Sequence, residues 1–173
     1  MQLLAGVGAA EVGSFFTIAS ETLSGSQATI TFSSIPATYK HLQIRALIKT
    51  ADTSVDVRTR FNGATTDYHR HGTFGDSTTI GSNAQASAVF VPLGYATGNA
   101  YPLVSVMEIL DYASTSKYKT IRCLSGVSLN GSGGVQFFSG AWQNFSAINS
   151  ISLFPQTGNF SIYTSIALYG IEG

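Results

Sequence analysis

Short segments of alternating apolar and polar residues fill this chain from Phe15 to Ile171, and this alternation restricts it to β-strands. In Val55–Phe61 the apolar residues share one face and the charged residues share the other, and His41–Thr50 repeats the pattern. No stretch holds the helical period of an amphipathic helix. The sequence therefore predicts an all-β fold. About ten or eleven strands at this spacing favour an antiparallel two-sheet β-sandwich that is jelly-roll-like.

Turn signals divide the N-terminal strands. Asn62-Gly63 predicts a type I′ hairpin turn, because both central residues of that turn need a positive φ. The polar stretch Gly75–Ser87 indicates a long loop, which is often a functional feature in a compact domain. Pro92 interrupts the apolar segment Ala88–Tyr95, and this indicates an edge strand, since proline cannot donate to a ladder.

The C-terminal half holds more evenly apolar strands. Leu103–Asp111 is apolar at most positions, which is typical of a strand covered on both faces. Ile148–Phe154 and Phe160–Ile171 flank the turn-rich segment Pro155–Asn159, so the pattern predicts a final hairpin.

Charge is scarce. Charged residues are 10% of the chain and the formal net charge is zero, whereas an average soluble domain holds roughly 25%. A nucleic-acid surface needs clustered lysine and arginine, so the composition argues against nucleic-acid binding. No apolar run approaches the roughly 20 residues that span a bilayer, so we expect no membrane insertion.

The chain length of 173 residues suits one domain. Residues 1–13 are rich in glycine and alanine without a strong period, and we expect an N-terminal arm or lead-in segment there. Residues 14–173 are then a single β-sandwich domain. Cys123 is the only cysteine, which excludes an internal disulfide. It lies among apolar residues, and this predicts a small buried side chain.

The sharpest local cluster of chemistry-bearing residues is Tyr68-His69-Arg70-His71. On a strand, His69 and His71 point to the same face, about 7 Å apart. With Asp67 or Asp76 as an oxygen ligand they would make half of a metal site. A closed zinc site needs about four protein ligands, so two solvated or interface histidines are the simpler interpretation. No cofactor is predicted.

The sequence contains no catalytic motif. No nucleophile–base spacing and no phosphate loop occurs, and sequence alone does not show whether any two carboxylates face each other. We therefore expect no enzymatic activity. The acidic residues considered are Asp52, Asp56, Asp67, Asp76, Glu108 and Asp111.

Protein–protein contact is the chemistry that an apolar, uncharged chain favours. Aromatic residues concentrate in the C-terminal third and suit core or interface packing, with stacking under a sugar ring as the alternative. The apolar residues of the N-terminal arm have no obvious core of their own. The interface candidates are Leu3, Leu4, Val7, Val12, His69, His71 and Trp142.

Strand and turn motifs give the chain a family resemblance. The C-terminal third has a Gly-x-Trp, an Ala-Ile-x-Ser-Ile strand, a Gly-Asn-Phe turn and a closing Leu-Tyr-Gly-Ile, at Gly140–Trp142, Ala147–Ile151, Gly158–Phe160 and Leu168–Ile171. The N-terminal half adds Ile18–Ser20, Ile30–Tyr39 and Arg60–Gly63. Over residues 15–171 the chain resembles small virion structural proteins of tailed bacteriophages.

The resemblance implies a role in assembly and supplies no catalytic residues. Its first implication is a capsid cement or decoration protein, present in the virion as a homo-oligomer in contact with major capsid or other virion proteins. The alternative is a tail-fibre or receptor-binding adhesin module that recognises a host-surface glycan, with tail proteins as neighbours. A carbohydrate-active enzyme is a third, weaker reading.

Overall fold

The structure, a computed structural model, describes residues 14–172. This part of the chain contains no helix and folds into twelve β-strands. In chain order they are β1 Phe15–Thr22, β2 Ile30–Phe32, β3 His41–Ile48, β4 Val55–Phe61, β5 Tyr68–Asp76, β6 Ile80–Ala88, β7 Val91–Ala96, β8 Leu103–Leu110, β9 Lys119–Ser128, β10 Gly133–Trp142, β11 Ile151–Pro155 and β12 Ser165–Ile171.

Two antiparallel sheets pack face to face. The large sheet has eight strands in the order β1-β12-β3-β8-β9-β10-β5-β6, and the small sheet has four in the order β2-β11-β4-β7. The predicted all-β, antiparallel two-sheet sandwich is confirmed, and the jelly-roll likeness stays a prediction. Strand β7, with Pro92, is an edge of the small sheet, as the proline predicts.

The core lies between the sheets and follows the alternation in the sequence. Leu42, Ile44 and Ile48 of β3 are fully buried, and so are Val57 and Phe61 of β4. Burying one such side chain stabilises a fold by about 1.5–3 kcal/mol. The inward positions predicted for these two strands are confirmed.

The segment predicted as a long loop, 75–87, is a β-hairpin instead. Strand β5 continues to Asp76, and β6 pairs with it from Ile80 onwards. The prediction was wrong because β6 is an edge strand of Ser, Asn, Ala and Gln residues, nearly all exposed. A strand with water on both faces has no need of apolar alternation.

Two further predictions were wrong. Strand β8 is covered on one face alone by the described chain, and Val104 and Val106 are exposed on the other. The C-terminal strands form no hairpin, because β11 pairs with β2 and β4 in the small sheet while β12 pairs with β1 and β3 in the large one. The turn between them crosses from one sheet to the other.

The Asn62-Gly63 turn is a corner between the sheets. Both residues have positive φ, 51° and 70°, and the Ala64 amide donates to the Phe61 carbonyl at 2.9 Å. This confirms the turn conformation. The predicted hairpin is wrong, since β4 lies in the small sheet and β5 in the large one.

Side chains fix this corner from both sides. The Asn62 carboxamide donates to the Ala147 carbonyl at 2.8 Å and accepts from the Asn149 and Ser150 amides at 3.0 and 3.1 Å. From the core side, the Tyr68 hydroxyl accepts from the Phe61 amide at 2.9 Å. The corner therefore connects β4, β5 and the segment that precedes β11.

Replacing Gly63 by valine is expected to destabilise the fold by roughly 1 kcal/mol or more, because a β-branched residue tolerates positive φ poorly. A clash is not the cause, since open space surrounds the position of an added Cβ. Gly25→Val is the matched control, also in open space but without a positive φ. Urea unfolding monitored by Trp142 fluorescence measures both, and equal midpoints for the two variants would contradict the corner's role.

Candidate functional site

Six apolar side chains are exposed together on the outer face of the large sheet, the side turned away from the small sheet. They belong to the central strands β3, β8, β9 and β10. Exposure is large, with 55% for Val104, 59% for Leu124 and 62% for Val135. The outer apolar face, as we call it, comprises Leu47, Val104, Val106, Leu124, Val135 and Phe137.

Strand register places these side chains in two adjacent rows. One row runs from Val135 through Gly126 and Val104 to Leu47, and the neighbouring row contains Phe137, Leu124 and Val106. Side chains directly opposite on neighbouring strands lie about 5 Å apart and pack against each other. The six residues therefore form a continuous surface rather than scattered exposed positions.

Charged residues lie around this surface. Glu108 and Arg122 are opposite each other in the next row. Arg45 follows Val106 in its row, but its guanidinium lies 5.0 Å from the ring centres of both Phe15 and Tyr169. Its Nε also donates to the Gln43 carboxamide at 2.7 Å. The centre of the face is thus uncharged, and its border is polar.

The two histidines lie on the same outer side of β5. His69 is opposite Ala141 and His71 is opposite Ser139 of β10, so both point the same way, as predicted. Within residues 14–172, no three His, Cys, Asp or Glu side chains come close enough to hold a metal ion. Neither Asp67 nor Asp76 therefore completes a site with them. The Asp76 carboxylate accepts from the Thr78 and Thr79 amides at 2.7 and 2.6 Å, which lowers its pKa.

Trp142 is a core residue, and its prediction as an interface residue is wrong. It is 1% exposed, because alternation along β10 points it inward while Ala141 points outward. Its ring centre lies 6.2 Å from that of Tyr68 and 5.8 Å from that of Phe61. Four further interface candidates, Leu3, Leu4, Val7 and Val12, lie outside the described residues, and for His69 and His71 the interface role stays a prediction.

Lys119 is a buried charge that the sequence reasoning missed. Its ammonium group lies 5.8 Å from the centre of the Trp142 ring. It donates to the carbonyls of Ser114, Lys117 and Asn144 at 2.6, 3.3 and 3.0 Å, which uses all three of its protons. Burial lowers its pKa. The signal was present in the sequence, since a lysine occupies an inward position of β9.

Comparison of the chain with protein-family models finds no match, and comparison with curated proteins finds none either. In the part of the chain that the structure describes, no helix is long and apolar enough to cross a membrane.

Lys119→Met is expected to lower the free energy of unfolding by roughly 3 kcal/mol, because three part-buried hydrogen bonds lose their charged donor. Methionine keeps much of the length and the packing. Lys40→Met is the matched control, since Lys40 makes an exposed ion pair with Asp111 and such pairs contribute little. Chemical unfolding of both variants measures the difference. A Lys119→Met protein as stable as Lys40→Met would show that the carbonyls gain nothing from the ammonium.

Proposed function

We propose that this protein is a virion structural protein of a tailed bacteriophage, a capsid cement or decoration protein that acts by packing against copies of itself and against neighbouring virion proteins. One observation carries the proposal: the uncharged outer apolar face in the middle of the large sheet. Contiguous apolar surface of this kind, rimmed by polar residues, marks interaction sites.

A second copy of this chain is the occupant that we assign to the face. The whole outer side of the large sheet has eight strands, about 4.8 Å apart and about eight residues long, and presents roughly 900 Å². That area is close to the ~800 Å² per partner of a standard protein interface, and the outer apolar face is its apolar centre. In a two-fold dimer each residue of the patch meets the same patch on its partner. A charged centre would repel itself there, whereas an apolar centre does not.

The apolar composition of β8 supports the same occupant. Its sequence is typical of a strand covered on both faces, yet the described chain covers one. A partner packed on Val104 and Val106 would supply the second cover.

The proposal assigns the protein no catalytic step. Cys123 is buried, and burial raises the pKa of its thiol to about 12, so the thiolate is scarce at neutral pH. His41 accepts from the Asp111 amide through Nδ1 at 3.0 Å, a contact that caps the end of β8. These contacts support a structural role for the two residues.

Immunolabelling of particles of the phage that encodes the chain tests where the protein lies in the virion. Antibody raised against the purified protein and viewed by electron microscopy is expected to label the head. Tail labelling would contradict the decoration role and support the tail-fibre alternative. Intact particles in which mass spectrometry finds no copies of the protein would contradict a virion role altogether.

Leu124→Lys is expected to weaken self-association by between about tenfold and a hundredfold, since burying a leucine contributes about 1.5–3 kcal/mol. At dilutions where both proteins are monomeric, its melting temperature should stay close to wild type, because the side chain is exposed in the monomer. Ile162→Lys is the control, at a side chain 40% exposed that lies outside the outer apolar face. Analytical ultracentrifugation over a concentration series measures association.

The effect of salt on self-association distinguishes an apolar interface from an ionic one. The Debye length falls to about 3 Å at 1 M salt, so an ionic interface would dissociate there. The wild-type assembly is expected to persist in 1 M NaCl. A protein that is monomeric at every concentration, or an assembly that salt disperses, would contradict the proposed interface.

A further inference from the structure

Strand β6 is an edge of the large sheet without the usual protection against pairing with another chain. It is nine residues long, and it contains neither a charged residue nor a proline. An open edge presents N–H and C=O groups to other strands, and proteins usually guard it with a charge, a proline, a bulge or a very short strand. The bulge in β6 lies at its C-terminal end, opposite His69, where Ser87 has a φ of 58°. Residues 80–85 therefore form a straight and unguarded edge.

The other three sheet edges in the described part of the chain are guarded. Strand β2 is three residues long. Strand β7 contains Pro92 and a bulge next to it. Strand β1 carries the charged residue Glu21 and has a bulge between Thr17 and Ala19. The contrast makes β6 the edge that is best suited to receive another strand.

The ladder between β5 and β6 shows which residues direct their main-chain groups to the open side. In an antiparallel pair, hydrogen-bonded and non-hydrogen-bonded residue pairs alternate. The Asp76 amide donates to the Thr79 carbonyl at 2.9 Å, so the next pair along the ladder, which includes Ile80, is a non-hydrogen-bonded one. By this alternation, Ile80, Ser82 and Ala84 turn their N–H and C=O groups away from β5. The open edge therefore offers three donors and three acceptors.

Contacts with β5 hold this edge in place. The Phe74 ring lies so close over Gly81 that a Cβ added to the glycine would lie 2.3 Å from the ring Cζ. The Arg70 guanidinium donates to the Gln85 carboxamide at 3.0 and 2.7 Å. Because β6 is already fixed as a strand, a partner strand pairs with it at a lower cost in conformational entropy.

From this geometry we propose that β6 pairs with β6 of a second copy of the chain, antiparallel and about a two-fold axis at Ser82. In this register Ser82 lies opposite the partner's Ser82, and Ile80 lies opposite the partner's Ala84. The three edge-directed residues of each copy then meet in three hydrogen-bonded pairs, and each such pair exchanges two main-chain bonds. The two large sheets become one continuous sheet.

The edge is complementary to itself in charge and in size. Like charges opposite each other on paired strands are destabilising, and β6 brings no charge to the axis. The Ile80 side chain is 91% exposed, and the small Ala84 of the partner leaves room for it in this register. The large sheet also extends past the small one on this side, since β7 packs mainly on β8 and β9. The small sheet therefore leaves the edge accessible.

This pairing goes beyond the face-to-face packing described above and does not rest on it. The outer apolar face ends at β10, and β5 separates it from β6. The two contacts differ in chemistry, because one buries apolar side chains and the other joins main-chain groups. Every variant used to test the edge also carries Leu124→Lys, which weakens contact through the outer apolar face. A negative result at the edge then leaves the proposed function standing, and the reverse also holds.

Disulfide cross-linking tests the register. Cα atoms directly opposite in a hydrogen-bonded pair lie about 5.5 Å apart, within reach of a disulfide. Ser82→Cys is therefore expected to give a covalent dimer on mild oxidation, seen on a non-reducing gel. Asn83→Cys is the matched control, exposed on the same strand but diagonal to its own copy at about 7–8 Å, which is too far. Cys123 is buried and does not compete. No dimer from Ser82→Cys, or equal rates for both variants, would overturn the proposal.

Charge complementation tests the same contact without a covalent bond. Ser82→Lys and Ser82→Asp each place like charges across the axis, and each is expected to weaken edge pairing tenfold or more. Mixing the two variants at low salt should restore association, because opposite charges then meet. Ser82→Thr is the control and should associate as the unchanged edge does. Sedimentation measures association, and thermal melting of the dilute proteins should show similar stability, since Ser82 is exposed. Undiminished association of either charged variant, or a mixture no more associated than its components, would contradict pairing at Ser82.

Discussion

The unequal width of the two sheets is the constraint on which the rest of this structure depends. Strands lie about 4.8 Å apart in a sheet, so four strands cover about half the width of eight. Where the small sheet covers the large one, apolar side chains such as Ile44 and Leu93 are buried completely. Where it does not, β5 and β6 extend past the edge of the small sheet, and Gln136 lines a cleft of about 570 Å³ there.

The sequence predicted strands best where one face is buried and the other is exposed to solvent. β3 and β4 meet that condition, and their alternation matched the structure position by position. β6 does not, because residues 82–87 are exposed on both faces and carry no apolar period. The pairing of the last two strands was also predicted wrongly. Whether β11 pairs with β12 or lies in the other sheet depends on contacts with β2 and β4, which no local pattern encodes.

The candidate sites were visible in the sequence only in part. Leu124 and Val106 are apolar residues within strands that the sequence predicts. A sequence does not show whether such a residue is buried by its own chain or exposed for contact with a partner. Lys119 and Gln136 were polar at inward positions, which signals a special environment. What surrounds Lys119 could not be predicted, because the Asn144 carbonyl that it binds comes from a distant segment.

The strand order also sets when this protein is able to fold. β1 pairs with β12 alone and β2 pairs with β11 alone, so the first two strands to leave the ribosome wait for the last two. Pairings between distant segments are slow to form, because closing a long loop costs entropy. Strands β3 to β10 can begin to pair during synthesis, but the small sheet stays incomplete until Pro155 has been made and the large sheet until Ile171 has been made. Completion of the fold therefore waits for the last strand, and the nascent chain is exposed to mispairing until then.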